Sequence, residues 1–236
     1  MKEIFMQPKE QARYIVEALK ELYPTSFCAL EWGGEKGDLT LDEVRRQSWK
    51  LLVMARLSAQ CTDARVNVVC KVLFDTFPTV EALANAPIND IEDIIRPCGL
   101  FRTKAQSIKD ACMILVEKYD GVVPDNMEDL LALPGVGRKI ANLLLGDIYH
   151  RSAVVTDTHC IRICGRLGFY PETLKDPFKI EKILVDIIQP EEQSDFCHRI
   201  VQFGRDVCTA RNPMCETCIL KDLCLHHQAK HEKSQG

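Results

Sequence analysis

Apolar residues recur at the three- and four-residue spacing of an α-helix along most of this 236-residue chain. Runs that alternate between apolar and polar residues, as strands require, are nearly lacking, and "SAVVT" at 152–156 is the one candidate strand. The pattern predicts an all-α fold with roughly ten or more helices. Only the polar tail "HHQAKHEKSQG" has the composition of a disordered segment.

Capping residues and helix breakers set the predicted helix limits. Thr40 and Glu43 have the spacing of a capping box, which predicts a helix running toward Gln60. The glycine-bearing segment "EWGGEKGD" before it is predicted as a loop. Further helices are predicted at 8–22, 63–76, 80–85, 89–95, 102–119, 126–132, from Asp176-Pro177 onward and at 191–206.

The composition is that of an ordinary soluble protein, with 46% hydrophobic and 27% charged residues. No run approaches the ~18 apolar residues of a membrane span, and the N-terminus has no signal-peptide pattern, so a cytoplasmic location is expected. There the twelve cysteines would stay reduced and serve as metal ligands or core residues.

The net charge of −4 does not by itself indicate nucleic-acid binding, because the placement of positive charge matters more. Basic residues are grouped in the middle of the chain, which is compatible with a DNA-binding surface and equally with solvated helix faces. These residues are Arg96, Arg102, Lys104, Lys109, Arg138, Lys139, Arg151, Arg162 and Arg166.

Four cysteines near the C-terminus, with the spacing C-x6-C-x2-C-x5-C, predict a metal or iron–sulfur site. They are Cys208, Cys215, Cys218 and Cys224. Zinc and a cubane iron–sulfur cluster both accept four thiolates, and only one pair here has the close Cys-x-x-Cys spacing of a zinc knuckle. The spacing therefore favours a cluster and leaves zinc open, and either would have a structural role.

The heptapeptide "LPGVGRK", residues 133–139, lies between two predicted helices. Gly135 and Gly137 can adopt backbone conformations closed to other residues and allow another backbone to approach closely. The amides at the start of the next helix, near Arg138, would form an anion site suited to a DNA phosphate. The alternative interpretation is a simple tight turn.

Together these motifs resemble endonuclease III, a family of DNA base-excision glycosylases in the helix-hairpin-helix superfamily. "LPGVGRKIAN" is followed by "TDTH" and then by the cysteine loop, and "LLVMARLSAQCTDARVN" and "CGLFRTKAQSI" also match, so that the resemblance spans about residues 50–226. It implies a six-helix domain with the hairpin at 41–151 and a discontinuous iron–sulfur domain at 1–40 and 152–236, with DNA bound across the cleft between them.

The resemblance also implies the cofactors, partners and location. The cysteine loop would hold a 4Fe–4S cluster rather than zinc, and hairpin carbonyls would hold a monovalent cation beside the phosphate. The partner would be double-stranded DNA with damaged bases or abasic sites, bound by a monomer in the cytoplasm, at the nucleoid of a bacterium or archaeon.

The implied activity is that of a bifunctional DNA glycosylase and AP lyase that removes oxidised pyrimidines. Lys139 would attack C1′ of the damaged nucleotide, so its pKa should be lowered by the helix N-terminus, by Arg138 and by partial burial against the following "IANLLL". Asp157, eighteen residues further on, would stabilise positive charge on the sugar or accept a proton. By residue type alone Asp157 is also a helix N-cap, and both roles can coexist.

Gln60 and Leu100 match the positions at which the family fills the gap left by the extruded base. Without the resemblance, they would be interpreted as a polar helix end and a core leucine. Departures from the family pattern at residues 26–49, Thr156 and Gly165 leave the lesion preference open.

Two other functions are compatible with the motifs. An adenine-mismatch glycosylase has the same cluster, but it lacks the lysine and carries an extra C-terminal recognition domain, whereas this chain has Lys139 and ends soon after Cys224. A non-catalytic iron–sulfur protein that binds DNA or senses redox state would have no need of both Lys139 and Asp157.

Overall fold

A computed structural model of the chain describes residues 7–32 and 40–235, with side chains up to residue 230. Within these ranges every regular element is helical, which confirms the all-α prediction. The α-helices are α1 Pro8–Leu22, α2 Leu41–Leu57, α3 Asp63–Thr76, α4 Val80–Asn85, α5 Ile88–Ile95, α6 Phe101–Tyr119, α7 Met127–Ala132, α8 Arg138–Tyr149, α9 Thr158–Leu167, α10 Pro177–Ile187, α11 Gln193–Asp206 and α12 Leu225–Gln235. Three-residue 3₁₀ turns occur at Arg96–Cys98, Pro190–Glu192 and Lys221–Leu223.

The chain divides into two compact units. Cys28–His150, which we call the hairpin unit, contains α2 to α8, and the cysteine unit combines α1 with the segment from Arg151 onward. The start of the hairpin unit is tied to α3, since Asn67 donates to the carbonyl of Ala29 and accepts from the amide of Glu31. The domain limits at 40/41 and 151/152 stay a prediction.

Helix α2 is largely buried in the second half of its length. The predicted capping box is confirmed, because the Thr40 side chain accepts from the amide of Glu43 while Glu43 binds the amide of Thr40. The helix ends at Leu57 rather than continuing toward Gln60, since Gln60 has a positive φ of 56°. Residues 33–39, which include most of the predicted "EWGGEKGD" loop, lie outside the described residues.

The cysteine unit has its own apolar core, in which side chains from α1, α9, α10 and α11 pack together. Its fully buried members include Ile15, Leu19, Ile163, Ile180, Leu184 and Ile200. Because α9 buries Cys160, Ile163, Cys164 and Leu167, the residues at its start are held in place by close packing.

Two sequence expectations for this unit are wrong. The candidate strand "SAVVT" forms no strand, since the described part of the chain contains no strand that could pair with it. The C-terminal tail is helical in α12 rather than disordered. Leu225 lies against Gly168, and Nδ1 of His226 is within hydrogen-bond distance of a Glu172 carboxylate oxygen, at 2.9 Å, so the start of α12 is anchored.

None of the helices in the described ranges is both long enough and apolar enough to cross a lipid bilayer.

Candidate active site and cysteine cluster

The hairpin connects α7 to α8 through a tight turn, in which the amide of Val136 donates to the carbonyl of Leu133 at 3.1 Å. Gly135 has a φ of +77°, in the left-handed region. A Cβ atom there would lie 2.5 Å from Nε of Arg56 and 3.0 Å from Cβ of Ser107. Gly135 is therefore required by both its backbone conformation and its close contact with α2 and α6.

Gly137 differs from this expectation. Its φ is −98°, which any residue can adopt, and a Cβ atom there would meet nothing within 4 Å. It is the N-cap of α8, and among the described residues no side chain caps that end of the helix. The open space over an uncapped helix N-terminus leaves room for an anion to approach the first amides of α8.

The two glycines should respond differently to alanine. Gly135→Ala should destabilise the protein by at least about 1–2 kcal/mol, because alanine is strained in the left-handed region and would collide with Arg56. Gly137→Ala should cost less stability, up to about 1 kcal/mol, because alanine is a poorer N-cap than glycine, and it should weaken binding to duplex DNA, because its methyl group occupies the open approach. Thermal unfolding and DNA titration check both outcomes, and equal destabilisation by the two variants would contradict this difference.

Lys139 lies in the first turn of α8, and its side chain is exposed. The expected partial burial against "IANLLL" is wrong, because α8 turns Ala141, Leu144, Leu145 and Ile148 into the core and leaves Lys139 on the opposite side. The amine is thus accessible at the positive end of a helix, directly after the glycine turn.

Asp157 is the N-cap of α9, as its residue type predicts. Its Oδ1 accepts a hydrogen bond from the amide of Cys160 at 2.7 Å, and its backbone carbonyl accepts from the amide of Ile161. The half-buried carboxylate is therefore held in one orientation, with one oxygen committed to the cap. His159 lies beside Arg162, with 3.3 Å between Nδ1 and a guanidinium nitrogen.

Gln60 and Leu100 occupy loops of the hairpin unit, and both have left-handed backbones, with φ of 56° and 47°. The side chain of Leu100 is 59% exposed, so the alternative interpretation as a core leucine is wrong. Gln60 is also exposed and follows the end of α2. An exposed leucine in an unfavourable backbone conformation is unusual for a residue that serves folding alone.

Several basic residues of the expected positive surface point into the protein instead. Lys104 is fully buried, and Lys109 donates to the carbonyl of Ala86. Arg96 and Arg102 remain outside, with their guanidinium groups 4.4 and 5.5 Å from the centre of the Phe101 ring. The number and position of charges in the sequence could not distinguish the basic side chains that point inward from those that remain at the surface.

The four predicted cysteine ligands lie around one pocket in the cysteine unit, with roughly 380 Å³ of space including solvent at its mouth. All four are half-buried and free of disulfides. The pocket is also lined by Ile163, Leu167, Phe203 and Pro213. Burial raises the pKa of the Cys218 and Cys224 thiols, so a bound cation is needed to favour the thiolates.

The sulfur spacing distinguishes the two candidate metals. Four thiolates on one zinc ion, with Zn–S of about 2.3 Å, would bring the sulfurs to about 3.8 Å from one another. No three of these four described thiols lie within 4.8 Å of one another. The wider arrangement fits a four-iron cluster, whose corners separate the ligands more than a single ion does.

Two arginines of α9 hold the cysteine loop, and sequence analysis missed this role. Arg166 is buried and donates to the carbonyls of Thr209 and Ala210 at 2.8 and 2.9 Å. Arg162 donates to the carbonyl of Cys208 at 3.0 Å. Their four-residue spacing on one helix is the only sequence signal that could have indicated a shared target.

Known proteins are similar to this chain in sequence and in fold. Residues 53–190 match the HhH-GPD superfamily of base excision DNA repair proteins, so the chain has the fold of that class. Residues 208–224 match the iron–sulfur binding domain of endonuclease III. An endonuclease III from Synechocystis sp. is 42% identical over 222 residues, or 94% of each chain. The chain belongs to the endonuclease III family.

Solved structures agree with this assignment. A non-covalent endonuclease III–DNA complex contains a protein that is 36% identical, with a TM-score of 0.84 over 96% of this chain and 100% of that chain. A trapped endonuclease III–DNA covalent intermediate matches with the same values. The protein is accordingly a bifunctional DNA glycosylase and AP lyase of base excision repair. Its cofactor is a 4Fe–4S cluster, and the zinc alternative is dropped.

Replacing one cluster ligand should remove the cofactor. In Cys218→Ser we expect the visible absorbance and iron content of the purified protein to fall to near background, because a serine hydroxyl is a poor replacement for thiolate. The cysteine unit should also lose stability, since metal-binding energy is folding energy here. Cys61→Ala, at a half-buried cysteine outside the loop, is the control and should keep the absorbance; a brown, iron-loaded Cys218→Ser protein would contradict this ligand assignment.

Proposed function

We propose that this enzyme removes oxidised pyrimidines from duplex DNA, with Lys139 as the nucleophile and Asp157 as the carboxylate that assists it. The observation that carries the proposal is the exposed amine of Lys139 in the first turn of α8, directly after the open Gly137. A trapped covalent intermediate has been solved for endonuclease III, and a covalent route needs such a nucleophile.

In the proposed reaction the neutral Lys139 amine forms a bond to C1′, and the glycosidic C1′–N bond breaks with its electrons leaving on the base. Loss of a proton from nitrogen and opening of the sugar ring give an imine. Removal of a C2′ proton then expels the 3′ phosphate oxygen and nicks the strand, and water releases Lys139. Since the protein itself leaves Lys139 exposed, bound DNA would supply the desolvation that favours the neutral amine.

Asp157 has two tasks in this proposal. The carboxylate caps α9 through Oδ1, which fixes its orientation before substrate arrives. Its negative charge would stabilise the oxocarbenium character that develops at the sugar as the base departs, and it would accept a proton during imine formation. Both tasks need the charge, whereas the cap needs only an oxygen.

The hairpin and the two exposed loop residues would bind the DNA. The amides at the start of α8, next to Gly135, Gly137 and Arg138, would hold a backbone phosphate, and hairpin carbonyls would hold a monovalent cation beside it. Gln60 and Leu100 would enter the space vacated by the extruded base. We further propose that the protein acts as a monomer in the cytoplasm, at the nucleoid.

The proposal is tested with two matched duplexes, one containing thymine glycol and one containing an abasic site. Wild-type protein should release the base from the first and nick both, and borohydride should trap a covalent adduct on Lys139. Nicking at the abasic site without attack on thymine glycol would overturn the proposed lesion class. Tight binding without cleavage of either duplex would overturn the catalytic roles.

A further inference from the structure

Lys104 of α6 is a fully buried lysine, with 0% of its surface exposed. Its Nζ donates to three backbone carbonyls, those of Leu57 at 2.9 Å, Ala59 at 2.7 Å and Cys98 at 2.9 Å. An ammonium group has three N–H donors and no acceptor, so every donor of Lys104 is used by main chain.

The three carbonyls belong to two separate loops. Leu57 ends α2 and Ala59 directly precedes Gln60, whereas Cys98 ends the 3₁₀ turn two residues before Leu100. Carbonyls at helix ends carry partial negative charge and favour a nearby cation. One ammonium therefore joins the loop of Gln60 to the loop of Leu100.

Both loops are in backbone conformations that need support. The left-handed φ values of Gln60 and Leu100 are uncommon for residues other than glycine and persist when the surroundings impose them. Neither side chain provides that support itself, since both are exposed. The hydrogen bonds from Lys104 act on the peptide groups that lead into these residues.

The surroundings of Lys104 show that it does not form an ordinary ion pair. No carboxylate pairs with it in the described part of the chain, and burial lowers the pKa of its ammonium group. Burying an amine is costly unless its hydrogen bonds are satisfied. The thiol of Cys61 is close enough to that of Cys98 to contribute, after burial, to the raised pKa of Cys98, so the two loops meet here.

We propose that Lys104 is a positioning residue for base extrusion, which holds the Gln60 and Leu100 loops at a fixed separation through three carbonyl hydrogen bonds. This inference rests on the proposed gap-filling roles of Gln60 and Leu100. It assigns Lys104 to the step in which the base leaves the stack, and not to the chemistry at C1′. A duplex with a preformed abasic site has no base to extrude and should depend less on Lys104.

The test compares two substrates in three variants. Lys104→Met should lower single-turnover excision of thymine glycol by about 10²-fold, as misplaced groups do, while nicking at an abasic site falls less than about 3-fold. Lys104→Gln, which keeps part of the donor set, should be intermediate. Lys109→Met is the matched control, because Lys109 is on the same helix and donates to the carbonyl of Ala86, away from both loops, and it should change neither rate.

A double-mutant cycle separates positioning from general stability. If Lys104 acts through the two loops, Lys104→Met should have little further effect in a Gln60→Ala, Leu100→Ala background, and 2-aminopurine opposite the lesion should report less base extrusion in the single variant. An unchanged ratio of excision to nicking in a folded Lys104→Met protein would overturn the proposal. An equal loss of excision rate in the wild-type and the Gln60→Ala, Leu100→Ala backgrounds would also overturn it, and so would unfolding of both Lys104 variants. Failure of wild-type protein to excise thymine glycol would instead refute the proposed function.

Discussion

Lys139→Gln is expected to lose the borohydride-trapped adduct completely and to slow base release by roughly 10³-fold or more, as removal of a nucleophile does in other enzymes. Glutamine keeps much of the length and polarity of lysine but has no nucleophilic amine. Since the side chain of Lys139 is exposed, its replacement should leave the fold unaffected. Single-turnover assays on thymine glycol duplex, with mass mapping of the adduct, give the result.

Arg138→Gln is the control for loss of positive charge at the same helix N-terminus. Arg138 is exposed and adjacent to Lys139, so its replacement should weaken binding to DNA and shift the salt dependence, while the adduct still forms on Lys139. An adduct of normal yield in Lys139→Gln, mapped to any other residue, would remove Lys139 from the mechanism.

Asp157→Asn should slow both base release and nicking by about 10²- to 10⁴-fold, the range for loss of a catalytic proton-transfer group. The fold should be preserved, because the asparagine side-chain oxygen can still accept from the amide of Cys160 and asparagine is a good N-cap. DNA affinity should be equal or higher, since one negative charge is removed. The variant thus separates the catalytic effect of the Asp157 charge from the structural effect of its helix cap.

Asp157→Ala removes both the charge and the cap, and it should add a stability loss of about 1 kcal/mol to the catalytic defect. Asp176→Ala is the matched control, because Asp176 caps α10 of the same unit through the amides of Phe178 and Lys179. It should lose comparable stability and keep full activity. If Asp157→Asn turned over at a near-normal rate, Asp157 would be a structural cap alone.

Local sequence patterns were sufficient to predict the positions of most helices. The capping box at Thr40, the Asp176-Pro177 start and the Asp157 cap each act through the next three residues, so their outcome is contained in a short segment. The predictions from sequence were wrong where a contact with a residue far away in the chain decides the local structure. Leu225 anchors a polar tail by packing on Gly168, and no local pattern reveals that contact.

The candidate site likewise has features that the sequence predicts and features that depend on contacts between distant segments. Spacing singled out the four cysteines, and the resemblance of the motifs to a known family pointed to Lys139 and Asp157 as candidate site residues. Neither spacing nor resemblance could show that Gly135 is required by its contact with Arg56 whereas Gly137 stands open, since steric contact depends on what another helix brings near.

Periodicity, caps and ligand spacing are local properties, and they were enough to predict the helical class, the family and the candidate site residues. The roles of the individual charged side chains became apparent only in the folded chain. Lys104 and Arg166 are indistinguishable from surface cations in the sequence, yet both are buried donors to loop carbonyls. The direction of a charged side chain depends on where unpaired carbonyls from distant segments come to lie, and packing alone sets that.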